Sequence, residues 1–209
     1  MENYQNNVEE LMQLFTENVF YNSKINEEKM LLKSLKGQCS CDVKHSKRVR
    51  KYASKLANVL NIDKETKKDI KLASVLHDIG KIAISEQILN SPRKLTVEEF
   101  EIVKQHSKIG YQLLLATHRF KKISKYVLEH HEHYDGSGYP IGLAGKDISL
   151  PARIITIADS YDAMTSKRAY KKTLTKQEAI EELRRCSNKQ FDPELVEIFI
   201  KKVLNYHLT

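Results

Sequence analysis

His130-His131-Glu132-His133-Tyr134-Asp135-Gly136-Ser137-Gly138-Tyr139-Pro140 is the stretch on which the reading of this chain turns. Upstream of it, Ile123 and Val127 fall at helical spacing, and His130 and His131 continue their stripe. An apolar helix face that closes on two adjacent imidazoles needs a reason, because a buried ionisable group is costly unless it is paired or bound to a metal. The sequence then changes character. Residues 134–147 hold four of the chain's seven glycines, Gly136, Gly138, Gly142 and Gly145, and form its least regular part.

Outward from this point the pattern is helical on both sides. Asp42 is placed to cap a helix running to Leu60, with Val49, Tyr52, Ala53, Leu56 and Leu60 inward. Asp63 caps the next, which carries Ile70, Ala73 and Leu76 and reaches His77-Asp78 before Gly80. Thr96-Val97-Glu98-Glu99 reads as a capping box that opens a long helix through Val103, His106 and Leu113. Pro151 stands where a first helical residue belongs, ahead of Ile154, Ile155, Ala158, Asp159 and Asp162. Thr175-Lys176-Gln177-Glu178 repeats the capping box, and Asp192-Pro193 caps a last helix. With no Val/Ile alternation and no βαβ rhythm, the expected fold is an all-α bundle over residues 38–209. Residues 1–37, with Val8, Leu11, Met12, Phe15 and Val19 on one stripe, are expected to be a helical piece for docking or dimerisation.

Composition narrows the setting. No apolar run approaches the length of a membrane span, which is roughly 18 residues. The start Met1-Glu2-Asn3-Tyr4 lacks the basic and apolar character of a signal peptide, and three cysteines read as free thiols, so a cytoplasmic protein is expected. Residues 1–36 carry four Lys and six Glu, a charge of −2, so with the whole chain at +8 the rest carries +10, which favours an anionic partner for the main domain. Basic pairs such as Lys67-Lys68 and Lys121-Lys122 are not interleaved with aromatics, and a stable complex with nucleic acid or membrane is not expected.

Several further ionisable residues sit where an apolar one belongs. His77-Asp78 end the segment Leu72 to Leu76, Asp159 interrupts Ile154 to Ala158, and His106 and His45 lie near the inner stripes of their helices. Taken singly, each has an ordinary explanation as a hydrogen-bonded core histidine, a cap or half of an ion pair. Together with His130 and His131 they are seven residues on five segments, which a bundle can bring to one place. Imidazoles and carboxylates suit divalent Fe, Mn or Zn, and adjacent ligands on a helix point about 100° apart, so Asp78 can reach a second cation beside that of His77. Two cations typically ~3.5–4 Å apart activate water and clamp a phosphoryl group in displacement.

These blocks resemble the HD-GYP family of metal-dependent phosphodiesterases, a branch of the HD superfamily. The resemblance covers residues 38–205: His45 to Val49, His77-Asp78-Ile79-Gly80-Lys81, His106-Ser107-Lys108-Ile109-Gly110, His130 to Pro140, Ala158 to Ser166, Arg168-Ala169-Tyr170-Lys171 and Phe191-Asp192-Pro193. It implies an HD-type helical bundle with two divalent metals, Fe or Mn first, held by His45, His77, Asp78, His106, His130, His131 and Asp159. Asp78 would bridge the two, and His130 and His131, read with these partners, are expected to serve one metal each. It implies hydrolysis of cyclic di-GMP to linear pGpG and in some members on to GMP. Lys81 would steady the phosphate, Gly138, Tyr139 and Pro140 would wall the base pocket, and Arg168 and Lys171 would hold the second half of the dinucleotide. Some members bind a third metal through an acidic residue where this chain has Cys41, hence the expectation of two. Ser85 stands where proline is common, and His133 where Arg or Lys is usual.

Three readings compete. The first is a cyclic di-GMP phosphodiesterase, and the second a hydrolase of another cyclic dinucleotide such as 3′,3′-cGAMP, which part of the family accepts. The third is a binding or docking module with weak catalysis, against which the complete ligand set and intact Gly138-Tyr139-Pro140 argue.

Overall fold

The structure, a computed structural model, describes residues 43–116, 120–167 and 173–206. The N-terminal docking or dimerisation piece, the Asp42 cap and Cys41 lie outside the described residues, as do Arg168 and Lys171. The eight α-helices of the described residues are α1 (Val43–Val59), α2 (Lys64–Leu76), α3 (Glu86–Leu89), α4 (Val97–Leu115), α5 (Lys121–Glu129), α6 (Leu150–Thr165), α7 (Lys176–Arg185) and α8 (Pro193–Ile198). A 3₁₀ turn at Ile79–Ala83 follows α2, and α8 runs on into a π-helical turn at Phe199–Val203. No strand occurs among the described residues, only one isolated bridge between Ser187 and Phe191. The described residues are all-α, as the pattern requires.

Helix starts lie where the local chemistry puts them. Asp63 accepts from Thr66 N at 2.9 Å, and both capping boxes are closed, Thr96 with Glu99 and Thr175 with Glu178. Asp192 accepts from the N–H groups of Glu194 and Leu195, and also receives Arg153 from α6. Ser85, the departure from proline, accepts from Gln87 N and so starts α3. Pro151 lies one residue inside α6, which begins at Leu150 after the N-cap Ser149.

Packing then fixes where the misfit residues meet. Helix α1 lies against α2 and α6, α2 against α5, and α4 against both α5 and the 3₁₀ turn. Leu56, Ile70, Leu76, Leu113, Leu114, Ile154, Ile155 and Phe199 are fully or almost fully buried between them. Each contributes about 1.5–3 kcal/mol by leaving water. Gly80 lets the 3₁₀ turn touch α4: a Cβ there would lie 1.9 Å from the carbonyl oxygen of His106. That approach carries the His77-Asp78 pair to His106.

Candidate metal centre

Five segments deliver the seven expected ligands to one place. His45 comes from the first turns of α1, His77 is the residue that ends α2, and Asp78 heads the 3₁₀ turn. His106 lies mid-way along α4, His130 caps the end of α5 with His131 directly after it, and Asp159 projects from α6. His77, His106 and His130 are buried almost completely. Their donor atoms form two groups, each with its members within 4.8 Å: His45, His77 and Asp78 in one, Asp78, His106, His130 and His131 in the other. Asp159 joins the first, with Oδ1 3.1 Å from His45 Nε2 and 3.8 Å from His77 Nε2.

Asp78 is common to both. Its Oδ2 lies 3.4 Å from His77 Nε2 and its Oδ1 3.5 Å from His106 Nε2, so one carboxylate faces the two groups with different oxygens. His130 and His131, expected to serve one centre each, both fall in the His106 group. Their rings are 4.0 Å apart and tilted by only 41°, and both lie just past Glu129, the last residue of α5.

The histidines are aimed from behind. Nδ1 of His77, His106 and His130 hydrogen-bonds the carbonyl three residues earlier, of Ser74 at 3.0 Å, Val103 at 2.6 Å and Val127 at 2.6 Å. That contact turns Nε2 inward and fixes which nitrogen carries the proton. Thr156 Oγ1 donates to the carbonyl of His130 at 2.7 Å and ties the end of α5 to α6. His45 is aimed by a carboxylate instead: its Nδ1 is 2.7 Å from Asp162 Oδ2. Arg48 holds that carboxylate through Nε at 2.6 Å and Nη2 at 3.0 Å.

The electrostatics favour a bound cation. Burial pushes the imidazole of His106 down to about 4 and that of His131 down to about 3, and with neighbouring imidazoles it holds His130 well below the ordinary range. These rings are neutral donors at neutral pH. Burial also opposes charge on His45, but its hydrogen bonds to Asp159 and Asp162 outweigh it and raise His45 to about 9. Burial would raise Asp78, yet Lys81 and the surrounding imidazoles keep it ionised well below the carboxylate range, and the His45 hydrogen bond does the same for Asp159. His77 Nε2 is buried and has no hydrogen-bond partner, although two carboxylates face it. An orphaned lone pair among carboxylates and neutral imidazoles fits a divalent ion.

Beside the donors stands a wall formed by the loop. Tyr139 lies over His131, with ring centroids 4.9 Å apart, and Lys104 Nζ is 5.7 Å from the Tyr139 ring. Burial raises the Tyr139 hydroxyl, which stays protonated. The Tyr139–Pro140 bond is cis. Gly138 passes so close to the preceding chain that a Cβ would sit 2.2 Å from the main-chain nitrogen of His133. Lys81, expected at the phosphate, lies with Nζ 2.7 Å from Asp78 Oδ2 at the edge of the donor set. His133, in the usual place of a cation, has Nδ1 3.0 Å from Ser137 Oγ.

Two acidic residues essential to this geometry were not singled out from sequence. Asp162 is one; its place three residues after Asp159 on α6 was the available signal, since i and i+3 share a helix face. Glu132 is the other. It is buried and accepts from the main-chain N–H groups of Ile141 at 2.7 Å, Gly142 at 3.0 Å and Leu143 at 3.0 Å. A buried carboxylate thereby holds the loop just past Pro140.

A family profile described as HD domain matches residues 29–195. The chain is 41% identical over 160 residues to a cyclic di-GMP phosphodiesterase of Thermotoga maritima, covering 76% of this chain and 44% of that protein. It is 39% identical over 159 residues to 3′3′-cGAMP-specific phosphodiesterase 2 of Vibrio cholerae, covering 75% of this chain and 30% of that one. The chain thus spans less than half the length of these curated relatives. Among solved structures, Bd1817, an HDG"Y"P protein of Bdellovibrio bacteriovorus, superposes with a TM-score of 0.66 at 19% identity, over 95% of this chain and 71% of that one, a likeness of fold. No helix of the described residues is long and apolar enough to cross a membrane.

Proposed function

The chain belongs to the HD-domain family, and from that premise we propose that it is a metal-dependent phosphodiesterase that opens cyclic di-GMP to linear pGpG. The observation that carries this reading is the pair of donor groups sharing Asp78, with inward Nε2 atoms fixed from behind by main-chain carbonyls. His45, His77, Asp78 and Asp159 would hold one divalent ion, and Asp78, His106, His130 and His131 the other, Fe or Mn before Zn. Such a pair supplies Lewis-acid activation of water and of the scissile phosphodiester.

The protein's own residues do the rest. Asp78, ionised and shared, keeps the two halves at a fixed separation. Lys81, at the edge of the donor set, swings from Asp78 to the phosphate and balances the charge that builds on its oxygens. Tyr139 and Pro140 present a flat face to a purine beside the metals, and Gly138 lets that face approach. Arg168 and Lys171 take the far phosphate or base, where the bidentate guanidinium suits either.

The test is anaerobic purification with metal analysis, then incubation with cyclic di-GMP and identification of the product. Conversion to pGpG supports the proposal. Turnover of 3′,3′-cGAMP in preference to cyclic di-GMP would move this chain to the specificity of its Vibrio cholerae relative, and binding without hydrolysis of either would refute the enzymatic reading.

A further inference from the structure

The two donor groups are built unequally. The His45 group brings two carboxylates, Asp78 and Asp159, whereas the His106 group shares Asp78 and otherwise consists of neutral imidazoles. The difference extends behind the ligands. His106 and His130 are backed by neutral main-chain carbonyls, as is His77. His45 is backed by Asp162, a carboxylate almost fully withdrawn from solvent, which raises the basicity of the imidazole it aims into the site.

The placement on α6 sharpens this. Asp159 and Asp162 are one turn apart and grip His45 on opposite nitrogens, Oδ1 of the first 3.1 Å from Nε2 and Oδ2 of the second 2.7 Å from Nδ1. Arg48 lies one turn after His45 on α1, and its fork, with Ser166 Oγ at 3.1 Å, leaves Asp162 one orientation. Lys81 pulls the other way, since its Nζ is 2.7 Å from Asp78 Oδ2 on the His77 side. It is a single cation on a carboxylate that both groups share, while Asp159 and the Asp162 backing belong to the first group alone.

Resting on the dinuclear reading above, we propose that the two positions fill in order: the His45–His77–Asp78–Asp159 position binds first and more tightly, and Asp162 is the positioning residue that makes it so. The second position then exchanges its cation more readily. It is the one that governs how much protein is active when metal is scarce.

Titration of metal-free full-length chain with Mn²⁺, followed by the loss of the free-ion resonance signal, reads this without any turnover. Two steps are expected, with dissociation constants at least about tenfold apart, a difference of ~1.4 kcal/mol. Asp162→Asn should weaken the tight step by about 10–100-fold, the usual cost of losing a partner behind a metal ligand. It should leave the weak step in place. His106→Ala should abolish the weak step and spare the tight one. Arg48→Met, which keeps the Asp162 carboxylate but frees its orientation, should weaken the tight step by a smaller factor and guards against Asp162→Asn failing to fold. Two equal steps in the unaltered chain, or an Asp162→Asn variant whose weak step alone moves, would overturn the ranking. Saturation at a single Mn²⁺ per chain would instead overturn the dinuclear reading beneath it.

Discussion

The donor cage and the loop wall meet at His131, yet they are held by opposite means. The cage hangs on helix ends and interiors buried in the core, and three of its imidazoles are steered by carbonyls of their own helices. The wall has little apolar burial of its own; Ile141 is 56% exposed. It is shaped by hydrogen bonds: Tyr139 N to His131 O at 3.1 Å, Gly145 N to Tyr134 O at 2.8 Å and the Glu132 carboxylate on three successive N–H groups. A cage of shared ligands fails as a unit, while a wall built from separable hydrogen bonds fails by degrees. Damage to the first should appear in metal content and kcat, damage to the second in KM.

The largest effect expected is that of Asp78→Ala. Among the described residues Asp78 is the carboxylate that belongs to both donor groups, so the variant should lose turnover and most of its metal, read by elemental analysis and product formation; retained hydrolysis would remove the mechanism. Next is Gly80→Ala. The added methyl must displace α4 from the 3₁₀ turn, which should cost about 1–3 kcal/mol in denaturant unfolding and lower kcat by separating His77-Asp78 from His106. A variant that lost stability but kept its kcat would show that the cage tolerates looser packing than a shared ligand set should.

Glu132→Gln tests the wall. The amide cannot accept from all three N–H groups, a loss of about 1–3 kcal/mol for the buried segment. We expect KM for cyclic di-GMP to rise roughly tenfold, about 1.4 kcal/mol of lost binding, with metal content unchanged. Loss of metal in this variant would merge wall and cage into one unit. Arg168→Ala should act in the same direction, raising KM with little change in kcat; an unchanged KM would refute its role.

The smallest effect belongs to a control remote from both. Arg93 hydrogen-bonds Glu99 in the capping box of α4 and, with Thr96 N, lowers its carboxyl to about 2. A depressed folded-state value means the contribution is complete above the unfolded carboxylate value of about 4.3 and is lost as pH falls towards about 2. Arg93→Ala should therefore flatten the acid limb of the stability profile slightly, more so at low salt, and leave metal content and KM untouched.

What sequence made legible divides along the same line. The cage could be read because each candidate ligand violates a local rule: an imidazole or carboxylate on an apolar helical face is conspicuous whatever the tertiary structure. Caps at Asp63, Thr96, Thr175 and Asp192 were legible for the same reason, each depending on the next few residues. Asp162 was legible as a member of its helix pattern but not as the partner of His45, which is 117 positions away. Glu132 was hidden differently. Its partners are main-chain N–H groups, which leave no trace in residue identity, and only the folded loop brings them to one carboxylate. The division of His130 and His131 between two centres failed because α5 ends at Glu129, just before both, and an exact helix boundary is what periodicity fixes least well.

The central claim is that seven side chains from five segments form one two-ion hydrolytic centre. It is tested most directly by reconstituting the chain anaerobically and measuring metal per chain in the same sample that is given cyclic di-GMP. Two ions per chain, with pGpG formed only when both are present, is the result predicted. Full hydrolysis at one ion per chain, or in the presence of excess chelator, would contradict it.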